Sequence, residues 1–577
     1  MQRKRSRLNG LVLAILGIAA LSSTFVAIHC YREASRLRES ITVLKTDLQE
    51  SLSALERIFS LFEADGLTDK GQLSKRELAQ IQVGLEFYNR FVMRQYNQRS
   101  LRVLTARASR QLAALYETME RTTDEETALK LTIALYDQHF AGEPPQADSR
   151  FALAEALNRL GELLFATGRP VQAETEQRRV VLLMELLAKE FPGDRRNQSQ
   201  LAEAYGNLAA IQATLDRSAA EANFRRSIRQ LTRLMHDFAD EPQYAVRSYD
   251  AHQSLVMLLT RSGRIQEAED ALQAYIDIVA TASERAAEPH LLTYMHALAR
   301  SDLAAFWWSR GRQRDALLAY SESRGSLERL TANVPSFLYL DRLARVNISL
   351  GQLLTEMGDD KEADRAFHQS SYILDGIQRT SSNRVPLARL MNRLGAGLRI
   401  SGRPQQAENV LLLLSDLCGD ESNWPKTFEA TAIYRDCLCN QAQVAHDGGK
   451  PERARRFLAE AVKQQEALLK IDTPDTLELV SIGAGWKLIG ENLYRLGDWE
   501  ASINALDKSM QLRKHDDSAA WFMLAVAHGK LHRKREARRC YERAVRSMRQ
   551  HDTSNAALNR LRDEAAQMLE MSANSIR

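Results

Sequence analysis

Arg345, Arg389, Asn392 and Arg393 form the densest polar group that the sequence sets on neighbouring helices. Their chemistry is that of an anion receptor, because a guanidinium presents forked N–H donors to a carboxylate. Ordinary solvated helix surface is the competing reading. Candidates for catalysis are weaker. Gly395, Gly397 and Gly402 echo the spacing of a dinucleotide loop, but no strand precedes them and they fall inside a helical hairpin. Gly71, Leu73, Ser74 and Glu77 echo the end of a calcium loop. The earlier ligand positions would be Gly66, Thr68 and Lys70, which bring no carboxylate. The 12 histidines are dispersed. No paired-histidine metalloprotease motif, nucleophile elbow or phosphate loop occurs. Cys437 and Cys439, with Cys418 on the preceding helix, leave a disulfide, a metal site or buried thiols open, and buried thiols are expected. No catalytic, metal-binding or cofactor residue is assigned, no cofactor is expected, and the chain reads as a non-enzyme.

The elements that must position these side chains announce themselves by repetition. Leu160, Gly161, Leu164, Gly168 and Ala173 recur as Leu350, Gly351, Leu354, Gly358, Ala363 and Phe367. They recur again as Leu394, Gly395, Leu398, Gly402 and Ala407, and as Trp486, Gly490, Leu493, Gly497, Trp499 and Leu506. Taking the small residue of each second helix as the marker gives nine hairpins, at Ala173, Ala220, Ala268, Ala316, Ala363, Ala407, Ala454, Ser502 and Ala537. The period is roughly 47 residues, shortening at the last step, and such a period means stacked helical hairpins. Small residues let antiparallel helices approach, and a turn glycine accepts positive φ. The second unit lacks that glycine and is one residue short near Leu215 and Asp216.

Proline agrees with this register. Pro192, Pro242, Pro289, Pro335, Pro386, Pro425 and Pro474 fall between units, whereas Pro170, Pro404 and Pro451 open second helices, where a missing N–H is harmless. Residues 101–140 read as one or two degenerate hairpins capping the array. At 577 residues, with 26% charged and 44% apolar side chains and a net charge of +4, the composition suits an elongated helical array and does not point to nucleic acid. The basic run at residues 530–549 reads as the solvated face of the last helices, with an anionic-partner patch as the other reading.

The N-terminus has a different character. Arg3, Lys4, Arg5 and Arg7 precede residues 8–31, which carry no charge and are long enough to cross a bilayer. An uncleaved signal anchor is expected over a cleavable signal peptide, although Ala19, Ala20, Ser22 and Ser23 supply small residues. His29 before Cys30 argues against lipid attachment. Leu37, Ile41, Leu44, Leu48, Leu55, Ile58 and Phe62 then follow heptad spacing. They suit either a dimeric coiled coil or an amphipathic helix lying on the first repeats.

Trp486, Gly490, Leu493, Gly497, Trp499, Ser502, Leu506 and Ser509 resemble the tetratricopeptide repeat. Trp521, Leu524, Ala525, Ala537, Tyr541 and Ala544 form a unit of nearly standard length beside them. The longer period upstream implies helices extended by several turns. The order of apolar run, ESLSALERIF, RELAQIQVGLEFYNRFV and NRLGELLFATGRPVQAE also resembles the exported part of certain bacterial membrane-anchored serine/threonine kinases. Few residues precede the apolar run, so the kinase machinery is not expected here. Tetratricopeptide repeats line their concave face with first helices, and some clamp a peptide carboxylate with Lys and Asn at set positions. The corresponding residues, Asn158, Gln253, Ser301, Ile348, Asn392 and Lys487, lack the paired Asn one turn later. The cluster of Arg345, Arg389, Asn392 and Arg393 is the alternative seat for an anionic peptide.

The expected fold is therefore all-α, a tetratricopeptide-like α-solenoid forming a right-handed superhelix, preceded by one transmembrane helix and a juxtamembrane helix. The expected segments are the anchor (1–31), juxtamembrane helix (32–64), helical cap (65–148), long-period array (149–480), two standard units (481–550) and C-terminal helix with tail (551–577). The expected role is a scaffold that binds a protein or peptide in its concave groove. It would be held in a bacterial inner membrane with the repeats outside the cytoplasm, either dimeric through the seam or not. A sensor or regulatory subunit of a kinase system is the second reading, and a protein or enzyme handling envelope polymers the third.

Overall fold

The structure is a computed structural model describing residues 75–119, 121–142, 146–380, 384–419, 424–470, 476–513, 517–551 and 556–569. The expected anchor at 1–31, the heptad seam at 32–64 and Gly66 to Ser74 of the calcium-loop echo lie outside these residues. Among the described residues there are 22 α-helices and no strand. None of the helices is long and apolar enough to cross a membrane.

Helix α1 (Lys75–Gln95) precedes a hairpin of α2 (Arg102–Thr118) and α3 (Thr122–Phe140). The next hairpins are α4 (Ala147–Ala166) with α5 (Pro170–Glu190), α6 (Arg195–Gln212) with α7 (Arg217–Asp237), and α8 (Gln243–Arg261) with α9 (Ile265–Arg285). They continue as α10 (His290–Trp308) with α11 (Gln313–Asn333), α12 (Phe337–Glu356) with α13 (Asp360–Thr380), and α14 (Arg384–Ile400) with α15 (Pro404–Gly419). The last are α16 (Phe428–Asp447) with α17 (Pro451–Leu468), α18 (Thr476–Arg495) with α19 (Trp499–Arg513), and α20 (Ser518–Lys530) with α21 (Lys534–His551). Helix α22 (Ala556–Met568) lies on α20, where Met568 occupies the space beside Gly529. The chain divides into two compact units between Leu234 and Met235, so the array expected over 149–480 runs across that division. In the first unit, buried side chains between residues 81 and 211 share one core. In the second, successive cores span residues 297–444, 438–505 and 503–566.

The repeated glycines have two separate jobs. Gly168, Gly263, Gly311, Gly358, Gly402, Gly449 and Gly497 hold positive φ between 68° and 82° at the hairpin turns. The next residue's amide then closes a six-to-one bond to the first helix, as from Arg169 N to Leu164 O at 2.8 Å. His532 takes that place in the last hairpin, at φ 60°. The hairpin α6/α7 makes the short turn expected near Leu215, with Asp216 N donating to Gln212 O at 2.7 Å. The other set sits where the two helices cross. A Cβ on Gly351 would stand 2.7 Å from the Phe367 ring, on Gly395 2.6 Å from Leu411, and on Gly490 2.8 Å from Leu506. Bulk at the second helix thus fits only because the first helix has none.

Two further ties recur. Second-helix hydroxyls donate to first-helix carbonyls: Ser227 to Ala202 O at 2.6 Å, Tyr275 to Ala245 O at 2.9 Å and Ser323 to Ala297 O at 2.7 Å. Turn arginines reach back to an acid on the preceding second helix. Arg169 grips both oxygens of Glu126 at 2.9 and 2.7 Å, Arg312 bonds Glu269 at 2.8 Å, and Arg403 bonds Asp364 at 2.6 Å. Pro386 departs from its expected place between hairpins, since it lies in the first turn of α14, where no intrahelical N–H is needed. Cys418, Cys437, Cys439 and Cys540 are free buried thiols, so Cys418 pairs with neither neighbour. Burial pushes the Cys418 thiol up to about 12, which leaves it an inert core group.

Candidate interaction face

The second unit stacks first helices α8, α10, α12, α14 and α16, and polar residues one repeat apart touch among α8, α10 and α12 and between α14 and α16. Asp302 on α10 is the busiest of them. It accepts from the Tyr249 hydroxyl and from Gln253 Nε2 (2.9 Å) on α8, and from Arg342 Nη2 (2.7 Å) on α12. Arg342 also donates to Ser301 Oγ and, at 3.2 Å, to Leu298 O. Burial first, and the Asp302 charge next, push the Tyr249 hydroxyl far above its ordinary range, so it stays a donor. Asn440 Nδ2 on α16 donates to Asn392 Oδ1 on α14 at 2.8 Å. Arg399 and Asp447 pair across the same helices at 3.1 Å.

The four residues singled out from sequence do share this face but have different partners. Arg345 is held by Asp341 on its own helix at 2.7 Å. Arg389 pairs with Glu429 of α16, both half exposed. Asn392 joins the asparagine pair. Arg393 makes no ion pair or hydrogen bond among the described residues. Desolvation, then the repulsion of Arg345 and Arg342, lowers its pKa from the ordinary arginine value. Gly397, one turn along α14, lies against Ile348 of α12, where a Cβ would stand 2.9 Å from Ile348 Cγ2, and this close approach brings the three arginines together.

The clamp-equivalent positions are likewise engaged. Gln253 serves Asp302, and Ser301 accepts from Arg342. Lys487 donates to Asp517 at 2.7 Å, and Asn158 accepts from Asn207 at 2.9 Å in the first unit. Tyr249, Asp302 and Arg342 were missed from sequence, although Gln253 and Ser301 pointed to their surroundings. Among the described residues no group of three or more His, Cys, Asp or Glu could hold a metal ion. An open cleft of about 280 Å3 in the first unit is lined by Gln82, Leu85, Glu86, Asn89, Arg90, Tyr116 and Arg121. Its cations are engaged locally, Arg90 by Glu86 and Arg121 by Asp124.

No curated protein matches the chain. Among solved structures it is similar to BtubC (BKLC) from P. vanneervenii, at 14% identity and a TM-score of 0.35, over 45% of this chain and 94% of that one. It is also similar to a Rap protein complexed with competence and sporulation factor (14%, TM-score 0.30, 74% and 99%). A third similar structure is the apo form of RapI (12%, TM-score 0.36, 80% and 100%). The tetratricopeptide repeat family matches residues 518–551. By sequence the hairpin α20/α21 is thus a tetratricopeptide repeat, and the hairpins before it share its build on longer helices.

Proposed function

We propose that this chain is a non-catalytic scaffold that holds a protein or peptide partner along its first helices. The observation that carries this reading is a pair of polar networks, one joining α8, α10 and α12 and the other joining α14 and α16. They fix donors and acceptors on rigid helices at the spacing of the repeat, so that little ordering is left for binding to supply. Arg393, without a hydrogen bond or ion pair among the described residues, is the open position where an acidic side chain of the ligand would enter. Crosslinking mass spectrometry in cells tests the reading: one stoichiometric protein partner is expected, and recovery of only glycans or small molecules would overturn it. An undiminished interaction in the Arg389→Glu/Arg393→Glu variant would dismiss the proposed entry point.

The uncharged run at residues 8–31 supports a second element of the proposal, a membrane tether with the repeats outside the cytoplasm. Added protease should degrade the repeats in intact spheroplasts, and protection would overturn that orientation. A kinase among the crosslinked proteins would favour the reading as a regulatory subunit.

A further inference from the structure

Many basic residues on the second helices are neutralised within a turn or by the neighbouring hairpin. Arg178 pairs with Glu174, Arg179 with Glu176 and Asp137, Arg225 with Glu221, Arg365 with Glu362, Arg455 with Glu452, and Lys463 with Glu460. Helix α21 carries five that are not. Lys534, Arg535, Arg538, Arg539 and Arg546 are all exposed, and none makes an ion pair or hydrogen bond among the described residues. The opposite face is fully used, with Ala537, Cys540, Tyr541, Ala544 and Met548 buried in the core. Arg535 stands three and four positions from Arg538 and Arg539, where like charges repel, while the exposed Glu542 lies three or four positions from Arg538, Arg539 and Arg546.

We propose that the exposed face of α21 is a docking surface for an acidic, carboxylate-rich segment of a protein partner, separate from the first-helix face. Five of the helix's six arginines are on described side chains, and the guanidinium fork suits bidentate capture of carboxylates. From Lys534 to Arg546 the row covers roughly 18 Å at the helical rise, the length of about six extended residues. Among the described residues of α19 to α22 no large apolar side chain is exposed to enter a bilayer. Arg543 covers the ring of Trp521 at 4.3 Å, which takes that aromatic away from base stacking. The partner's carboxylates complement an excess of cations, set against two exposed acids on the same helix, Glu536 and Glu542.

The test is fluorescence anisotropy of a labelled decaglutamate peptide with the full chain. It compares the wild type, the row variant Arg535→Glu/Arg538→Glu/Arg539→Glu/Arg546→Glu, and a control variant Arg178→Glu/Arg225→Glu/Arg365→Glu/Arg455→Glu of equal charge change. The expected result is binding that weakens steeply with salt, falls about tenfold or more in the row variant, and stays within about twofold in the control. Absence of binding, equal loss in both variants, or no loss in the row variant would each overturn the proposal. So would row-dependent binding of duplex DNA or phosphatidylserine vesicles that is tighter than the peptide. Thermal melting supplies the second readout. Both variants should unfold in a transition as cooperative as the wild type's, and loss of that transition in the row variant alone would assign the row a structural role instead.

Discussion

Removing a hydrogen from the wrong glycine separates the two kinds found in this chain. Gly351→Ala drives a methyl into the Phe367 ring, 2.7 Å from the new carbon, and should destabilise by about 1–3 kcal/mol in urea unfolding. Gly325→Ala, with nothing within 4 Å of its Cβ, should stabilise α11 by about 0.5–1 kcal/mol through a less flexible unfolded chain. His252 supplies a pH handle. It is buried, bonds the Ser248 carbonyl at 2.7 Å, and burial lowers its pKa from 6.5 to about 4. Below pH 6.5 the unfolded chain takes up a proton that the fold refuses until about 4. This contribution to stability is therefore intact above pH 6.5 and lost progressively across that window as pH falls. Urea midpoints measured across it should fall less for His252→Gln than for the wild type. The close-packing glycines were legible in sequence because their function is steric and repeats. Asp302 was not, since its partners Tyr249 and Arg342 lie 53 and 40 positions away and meet only when three helices stack.

Each hairpin depends on how its turn closes and how it is tied to the one before. His532 occupies at φ 60° a place that glycine fills in seven other turns. Replacing it with Gly should raise stability by about 1 kcal/mol or less, read as a higher melting temperature. The tie from Arg169 to Glu126 should appear in acid. The hydrogen bonds from Arg169 and Lys130 hold Glu126 at about 2, against an ordinary 4.5. The stabilisation is present above pH 4.5 and lost as pH falls towards 2, and Glu126→Gln should flatten the unfolding midpoint over that range. Sequence revealed the turns through their glycines. It concealed the ties, because Arg169 and Glu126 stand 43 residues apart in a chain rich in both charges. The row on α21 was visible as cations, but only the structure shows that no acid among the described residues reaches them.

At the scale of the molecule, contacts run within hairpins and between neighbouring hairpins of each unit, so damage should stay local. Gly395→Ala, which crowds Leu411 in the second unit, should speed amide hydrogen exchange in α12 to α17 and leave α1 to α6 protected. Uniform deprotection along the chain would contradict this nearest-neighbour behaviour. The turn that closes hairpin after hairpin also has a mechanical consequence. Pulled between its ends in an optical trap, the chain should lengthen in steps of one hairpin. Each step would release roughly 47 residues, or roughly 160 Å of contour at about 3.4 Å per residue, with a shorter step from α20/α21. The spacing of the glycines would then be readable as a ruler in the force trace.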